Sequence, residues 1–257
     1  MSGRIGLHGG GEFLAGDEPF LDALIVAARQ AAATHAGNPD DRGNRELPPV
    51  RIVIVPTAAA RGRPDRAAAM GIAAFADRAD AANRQLRIDA ASIVDDASAA
   101  DPANVGLLEA ADLIYLPGGD PDLIPKILPR TKALAAIETA RRRGAVVAGA
   151  SAGGMALAEW SWTPDGGIRG LGFVAGFALL PHYNDGRRTA WQTVLDRVAP
   201  EGIGHLGLEE RTGALSDGRT SGGRSWRIAG PGAAYWFARG ARRPIVARDG
   251  EAIDIPD

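Results

Sequence analysis

The sequence predicts an α/β fold: a three-layer sandwich around a mostly parallel sheet, with a strand-rich C-terminal extension. Three observations carry this reading. Over residues 4–150, short apolar or β-branched runs alternate with segments of helical spacing. Glycine-rich or small-residue turns follow the first, fourth and fifth of those runs. After Trp160 the pattern changes to short apolar runs divided by Gly, Asp and Arg turns. This later portion, about 203–257 at its most strand-rich, is expected to pack on the same sheet. At 257 residues the chain can bury one sizeable core, and a single domain over 1–257 is expected.

The elements follow in order. A first strand at 4–8 runs directly into Gly9-Gly10-Gly11. Phe20, Leu21, Leu24, Ile25 and Ala28 share a helical face, with Pro19 suited to a first turn, which predicts a helix over 20–33. Residues 35–49, rich in Gly, Asn, Asp and Pro, read as a surface loop. The β-branched run 51–56 is the second strand, ended by Pro56. An Ala-rich helix is expected over 64–83, a third strand at 86–90 and a short helix at 102–110. The fourth strand, 112–116, stops at Pro117-Gly118-Gly119-Asp120-Pro121. In the helix expected over 131–143, the basic end Arg141-Arg142-Arg143 suits the negative pole of the dipole. A fifth strand at 145–148 leads to Gly149-Ala150-Ser151-Ala152-Gly153, and a helix is expected over 155–160. Further on, the runs 177–180, 204–208, 233–237 and 244–247 read as strands, with one helix near 189–198.

Composition excludes several classes of function. A formal net charge of −2 gives no electrostatic case for nucleic acid. The chain has no Cys, which removes thiolate nucleophiles, disulfides and Cys-ligated metal. Any nucleophile is therefore an oxygen or a nitrogen. The dinucleotide fingerprint fails because Leu14 takes the third glycine's place, and neither a P-loop nor H-E-x-x-H occurs, so no cofactor and no metal are expected. No stretch approaches the roughly 20 apolar residues of a membrane span. The N-terminus lacks a charged head followed by an apolar core. No membrane partner and a cytoplasmic location are the expectation.

In open α/β sheets, ligands gather beyond the carboxyl ends of the strands. Gly9–Gly11, Gly118-Gly119-Asp120 and Ser151 all fall there. A Ser between small residues at a strand-to-helix turn has the pattern of a nucleophile elbow. The Gly119 and Ala152 N–H groups are candidates for the two donors an acyl-transfer oxyanion needs. Each turn also reads as an ordinary turn when taken alone. A serine hydroxyl needs a base, and four histidines are present. His35 falls in the polar loop, and His205 reads as a packed strand residue. His182 ends an apolar run at a polar turn, which makes it the first choice; His8, at the end of the first strand, is the second. For the acid that orients the base, Glu209 and Glu210 follow the run 204–208, and Asp165 lies in the turn Thr163-Pro164-Asp165-Gly166.

Pro117-Gly118-Gly119-Asp120, Gly149-Ala150-Ser151-Ala152-Gly153, Pro181-His182-Tyr183 and Gly207-Leu208-Glu209-Glu210 occur in this order and at similar separations in one group of proteins. Over roughly 3–215 the chain resembles the serine peptidase family of α-aspartyl dipeptidase (peptidase E) and cyanophycinase. The resemblance implies a class I glutamine amidotransferase-like fold in which Ser replaces the usual Cys. It implies Ser151 as nucleophile, His182 as base, and Gly119 and Ala152 as oxyanion donors. For the third member of the triad, the cyanophycinase-like branch points to Glu210 and the dipeptidase branch to Asp165; Glu210 is taken, with Asp165 as the alternative. Asp120, Arg187 and Arg188 are the expected substrate-binding residues, the arginines gripping a carboxylate. Pro121 stands where cyanophycinases carry Gln, and Leu180-Pro181 where they carry an acidic-polar pair, so the substrate does not carry over. The implied function is cleavage of an amide in small acidic, aspartyl peptides through an acyl-enzyme, without a cofactor. The partner is a small peptide, and family members are often homodimers. Two alternatives stand beside this: a non-catalytic metabolite-binding or regulatory module on the same fold, and an amidase or esterase with a non-peptide substrate.

Overall fold

The chain begins with a strand, β1 (Ile5–His8), and a long helix, α1 (Glu18–His35). Then come β2 (Val50–Ile54), α2 (Pro64–Ala81), β3 (Leu86–Ala90), α3 (Asp96–Ala100), α4 (Pro102–Ala110) and β4 (Leu113–Leu116). Next are α5 (Leu123–Ile127), α6 (Lys132–Arg142), β5 (Val146–Ala150) and α7 (Ala152–Leu157). The second half holds β6 (Trp160–Thr163), β7 (Gly166–Arg169), β8 (Phe177–Leu180), α8 (Asp185–Val198) and β9 (Gly204–Leu208). It closes with β10 (Gly213–Ser216), β11 (Arg224–Ala229), β12 (Ala233–Phe237), β13 (Ile245–Arg248) and β14 (Ala252–Ile255). This computed structural model describes residues 3–35, 48–81, 85–218 and 224–256. Most of the loop expected at 35–49 and the last two residues of the helix expected at 64–83 lie outside the described residues.

Eight strands form the main sheet in the order β14-β11-β10-β1-β5-β4-β2-β3. The five from β1 to β3 are parallel, and β10, β11 and β14 extend the β1 edge in antiparallel fashion. Alternation along these strands separates two apolar faces. Ile5, Leu7, Val53, Ile114, Leu116 and Val147 face the helices α4, α6 and α7. Ile52, Ile54, Leu113, Tyr115, Val146 and Ala148 pack against Phe20, Leu24 and Ala28 of α1 and Phe75 of α2. Burial of this apolar surface, at ~25 cal/mol per Å², is the main force holding the layers together.

The C-terminal portion is strand-rich, as the runs predict. The four runs join β6 and β7 in a second, six-stranded sheet, β13-β12-β9-β8-β6-β7, which packs on the first. The reason lies in edge pairing. β10 takes the free edge of β1, while β8 and β9 pair in parallel through the α8 crossover. Leu179, Leu206, Leu208 and Trp236 of this sheet join the core formed by Val147 and Leu116 of the first. Among the described residues no helix is long and apolar enough to cross a membrane.

β5 lies between β1 and β4, with Gly149 level with both Leu7 and Leu116. The turns that leave β1, β4 and β5 therefore open side by side. α7 begins three residues earlier than the spacing predicts, because Gly153 and Gly154 read as turn residues yet are helical. Gly153 is needed for close approach, since a side-chain carbon there would overlap the Leu116 carbonyl.

Candidate active site

Ser151 occupies the bend between β5 and α7 with φ 47° and ψ −116°, a conformation that costs a non-glycine residue strain. Its N–H is tied to the His8 carbonyl at 3.0 Å. The bend turns the side chain out of the sheet, where Oγ meets His182 Nε2 at 2.9 Å. On the other side of the ring, His182 Nδ1 lies 2.7 Å from Glu210 Oε1. An ionised carboxylate only accepts, so Nδ1 carries the proton and Nε2 offers its lone pair to the serine hydroxyl. The His182 and Glu210 side chains are 28 % and 40 % exposed, so the relay lies at an open rim rather than in the core.

The positions of these groups follow from three laced loops. His182 lies two residues past β8 with φ 51°, and its N–H donates to the Gly9 carbonyl at 2.6 Å. Arg211, with φ 58°, donates its N–H to the Gly10 carbonyl at 2.7 Å. The Glu210 N–H donates to Asn184 Oδ1 at 3.2 Å. The glycines after β1 thus hold the loops after β8 and β9 together, which brings imidazole and carboxylate into register.

Two of the expected substrate residues separate clearly. Arg187 is exposed in the first turn of α8 and lines a cleft of about 190 Å³ beside His182. Trp162, Pro181, Ala190, Trp191 and Val194 complete that cleft, with the two indoles edge to face at 5.9 Å. Trp191 is fixed by its Nε1–H donating to the Pro181 carbonyl at 2.6 Å. Arg188 is occupied within the fold. Its guanidinium meets Glu209 at 2.6 Å and Asp185 at 2.7 Å, and stacks 4.4 Å from the centroid of Tyr235. Asp120 lies 3.6 Å from Arg61, whose two nitrogens also hold Asp122 at 2.8 Å each.

Glu210 is the acid placed against the imidazole; Asp165 is exposed in the turn between β6 and β7. His8, the second choice as base, points away from the serine. It shares the sheet face that packs on α1, is fully buried, stacks on Phe20 at 5.2 Å and lies 2.7 Å from Asp17 Oδ1. Strand alternation explains this, since His8 has the same parity as Gly6, which packs on Phe20 and Leu24. His205 is half-buried in β9, and burial lowers its pKa. Among the described residues, the Gly119 and Ala152 N–H groups have no protein acceptor. Three of Asp, Glu or His nowhere gather as a metal-binding set among those residues. One contributor escaped the sequence reading: Glu12, whose carboxylate accepts the Gly118 N–H at 2.7 Å.

A hydroxyl, an imidazole and a carboxylate in line, at an open rim with bare amides nearby, can activate an alcohol as a nucleophile and return its proton to a leaving group. A family match agrees with that chemistry. The profile of Peptidase family S51 matches residues 48–218, more than half of the 257. A crystal structure of a peptidase from an acI-B1 Actinobacterium superposes with a TM-score of 0.76 at 23 % identity, covering 99 % of this chain and 98 % of that one. A protein from Listeria monocytogenes EGD-e, assigned as a peptidase E, superposes with a TM-score of 0.56 at 16 % identity, covering 96 % of this chain and 99 % of that one. At these identities the two structures establish the fold. No curated protein sequence matches the chain significantly.

Proposed function

Because the chain belongs to peptidase family S51, and so to the serine peptidases, we propose that it cleaves an amide bond in small acidic peptides through an acyl-enzyme on Ser151. The observation that carries this reading is the unbroken line from Ser151 Oγ through His182 to Glu210, at 2.9 and 2.7 Å. Ser151 Oγ attacks the scissile carbonyl carbon as its proton passes to His182 Nε2. Glu210 steadies the imidazolium that forms and keeps the ring in the tautomer that can accept. The Gly119 and Ala152 N–H groups receive the developing oxyanion, and this charge stabilisation is worth about 3–4 kcal/mol per donor in comparable sites. As the tetrahedral adduct collapses, the C–N bond breaks and His182 gives its proton to the leaving amine. Water then attacks the acyl ester, with His182 again as base, and Ser151 is restored.

The acidic preference rests on Arg187. Arg187 lines a largely apolar cleft beside His182, which suits a short side chain ending in a carboxylate. Arg188, neutralised by Glu209 and Asp185, contributes to the loop rather than to the ligand. A panel of aspartyl dipeptides, leucyl dipeptides and aryl esters tests the reading through kcat/KM. The expected result is a preference of at least ~10-fold for the aspartyl substrates, the scale of one good charged contact. Faster turnover of neutral peptides would overturn the acidic preference, and faster turnover of esters would move the function to an esterase.

A further inference from the structure

The loop after β1 reaches beyond His182. Asp17 anchors it, accepting the Phe13 N–H at 2.9 Å and lying 2.7 Å from buried His8. Gly10, Gly11 and Phe13 have φ of 95°, 69° and 66°, left-handed values that turn the chain sharply. From this loop Glu12 extends to the turn after β4, where Oε1 accepts the Gly118 N–H at 2.7 Å. The contact falls next to the nucleophile: a side-chain carbon on Gly118 would lie 3.2 Å from Ser151 Cβ and 2.9 Å from Glu12 Oε1. On the far side of the same turn, the Asp120 N–H donates to the Ala58 carbonyl at 2.7 Å. The amides at 118 and 120 are thus each held by a different segment of the chain. The amide between them, on Gly119, has no protein acceptor among the described residues.

We propose that Glu12 is a positioning residue that acts through Gly118, holding the 117–120 turn so that the Gly119 N–H meets the oxyanion formed by Ser151. This rests on the Ser151 reading above. An oxyanion donor works only if it is aimed at the place the charge will occupy, so the effect belongs to the transition state and falls on kcat rather than KM. The contact requires an acceptor oxygen and no charge. Glu12→Gln keeps that oxygen, Glu12→Ala removes it, and Glu12→Asp is one methylene too short to reach.

The test measures kcat and KM on an aspartyl dipeptide, the rate at which a fluorophosphonate labels Ser151, and the thermal midpoint of each variant. A misplacement of about 1 Å near reacting atoms costs ~10²-fold. Glu12→Ala and Glu12→Asp are expected to lose about that factor in kcat and in labelling rate, with KM little changed, while Glu12→Gln recovers most of it. Wild-type kcat in Glu12→Ala, or a Glu12→Gln as slow as Glu12→Ala, overturns the assignment, the latter because it would mean that the charge is what matters. If either shortened variant does not fold, the other, together with Glu12→Gln, carries the comparison. A wild-type chain that is unreactive at Ser151 sinks the nucleophile reading and Glu12's role with it. A reactive wild type with an unaffected Glu12→Ala sinks the Glu12 assignment alone.

Discussion

The His182 ring rests on the bare backbone of Gly10: a methyl group there would come 2.5 Å from Nε2, the atom that meets Ser151. With φ at 95°, Gly10 also holds a conformation an L side chain rarely adopts. Gly10→Ala is therefore expected to push the imidazole off line and lower kcat by ~10²-fold, while the sheet beneath it stays intact. Gly106→Ala is the control, since nothing lies within 4 Å of a methyl at that position in α4. It is expected to leave kcat unchanged and to raise stability by ~1 kcal/mol through helix propensity. Steady-state kinetics and thermal unfolding on both variants check this pair.

Glu210 and Asp165 part company in the same assay. Glu210→Gln removes the charge that steadies the imidazolium and lets the ring adopt the wrong tautomer, so kcat is expected to fall by ~10⁴-fold, as replacing the triad carboxylate does elsewhere. Asp165→Asn, in an exposed turn, is expected to leave kcat within experimental error of wild type. The opposite pattern would favour the alternative, Asp165, as the third member.

The two neighbouring arginines are expected to fail in different ways. Arg187→Gln raises KM for an aspartyl dipeptide and leaves thermal stability alone, because this side chain is exposed on the cleft wall. Arg188→Gln strips Glu209 of its guanidinium and Tyr235 of its stacking partner. Charged hydrogen bonds of this kind contribute roughly 1.5–3 kcal/mol, so a clear drop in denaturant midpoint is expected there. Equal effects of the two substitutions on KM would contradict the division of labour.

Acid is expected to weaken the fold in two stages. Burial lowers the His205 pKa, so below about 6.5 the unfolded chain takes up a proton that the native state resists, and stability falls as pH drops through that value. The Asp122 carboxyl is held well below the usual carboxylate range, first by its hydrogen bonds from Arg61 and further by Lys126. Its contribution is present above about 3.9 and is lost as pH falls from there toward the lowered native value. Thermal midpoints measured from pH 8 to pH 3 should show both declines, and His205→Gln should remove the first alone.

Strands β8, β9 and β12 fall on the apolar runs that predict them, because strands buried on both faces read as continuous apolar stretches. β7 and β14 alternate buried or half-buried with exposed residues over four positions each, too short a pattern to stand out from turns. The assignment of runs to sheets depended on which strand takes the β1 edge, and that is decided by pairing partners far away in the chain. Ser151 and His182 were legible because small neighbours and a strand end mark them. For the acid, residue types alone left Glu209, Glu210 and Asp165 open and only the resemblance pointed to Glu210, since Glu209 and Glu210 are adjacent and differ in direction, one reaching Arg188 and the other His182. Glu12 escaped notice because its partner is a main-chain N–H 106 positions away, which no pattern of side chains encodes.

The central claim is that the Ser151 oxygen becomes covalently acylated during turnover. The most direct measurement mixes the protein with an activated aspartyl ester, quenches in acid within the first turnover, and reads intact mass followed by peptide mapping. The predicted result is an aspartyl adduct on the peptide containing Ser151, absent in Ser151→Ala and formed much more slowly in His182→Gln. Undiminished hydrolysis by Ser151→Ala, with no adduct on the wild-type chain, would contradict it.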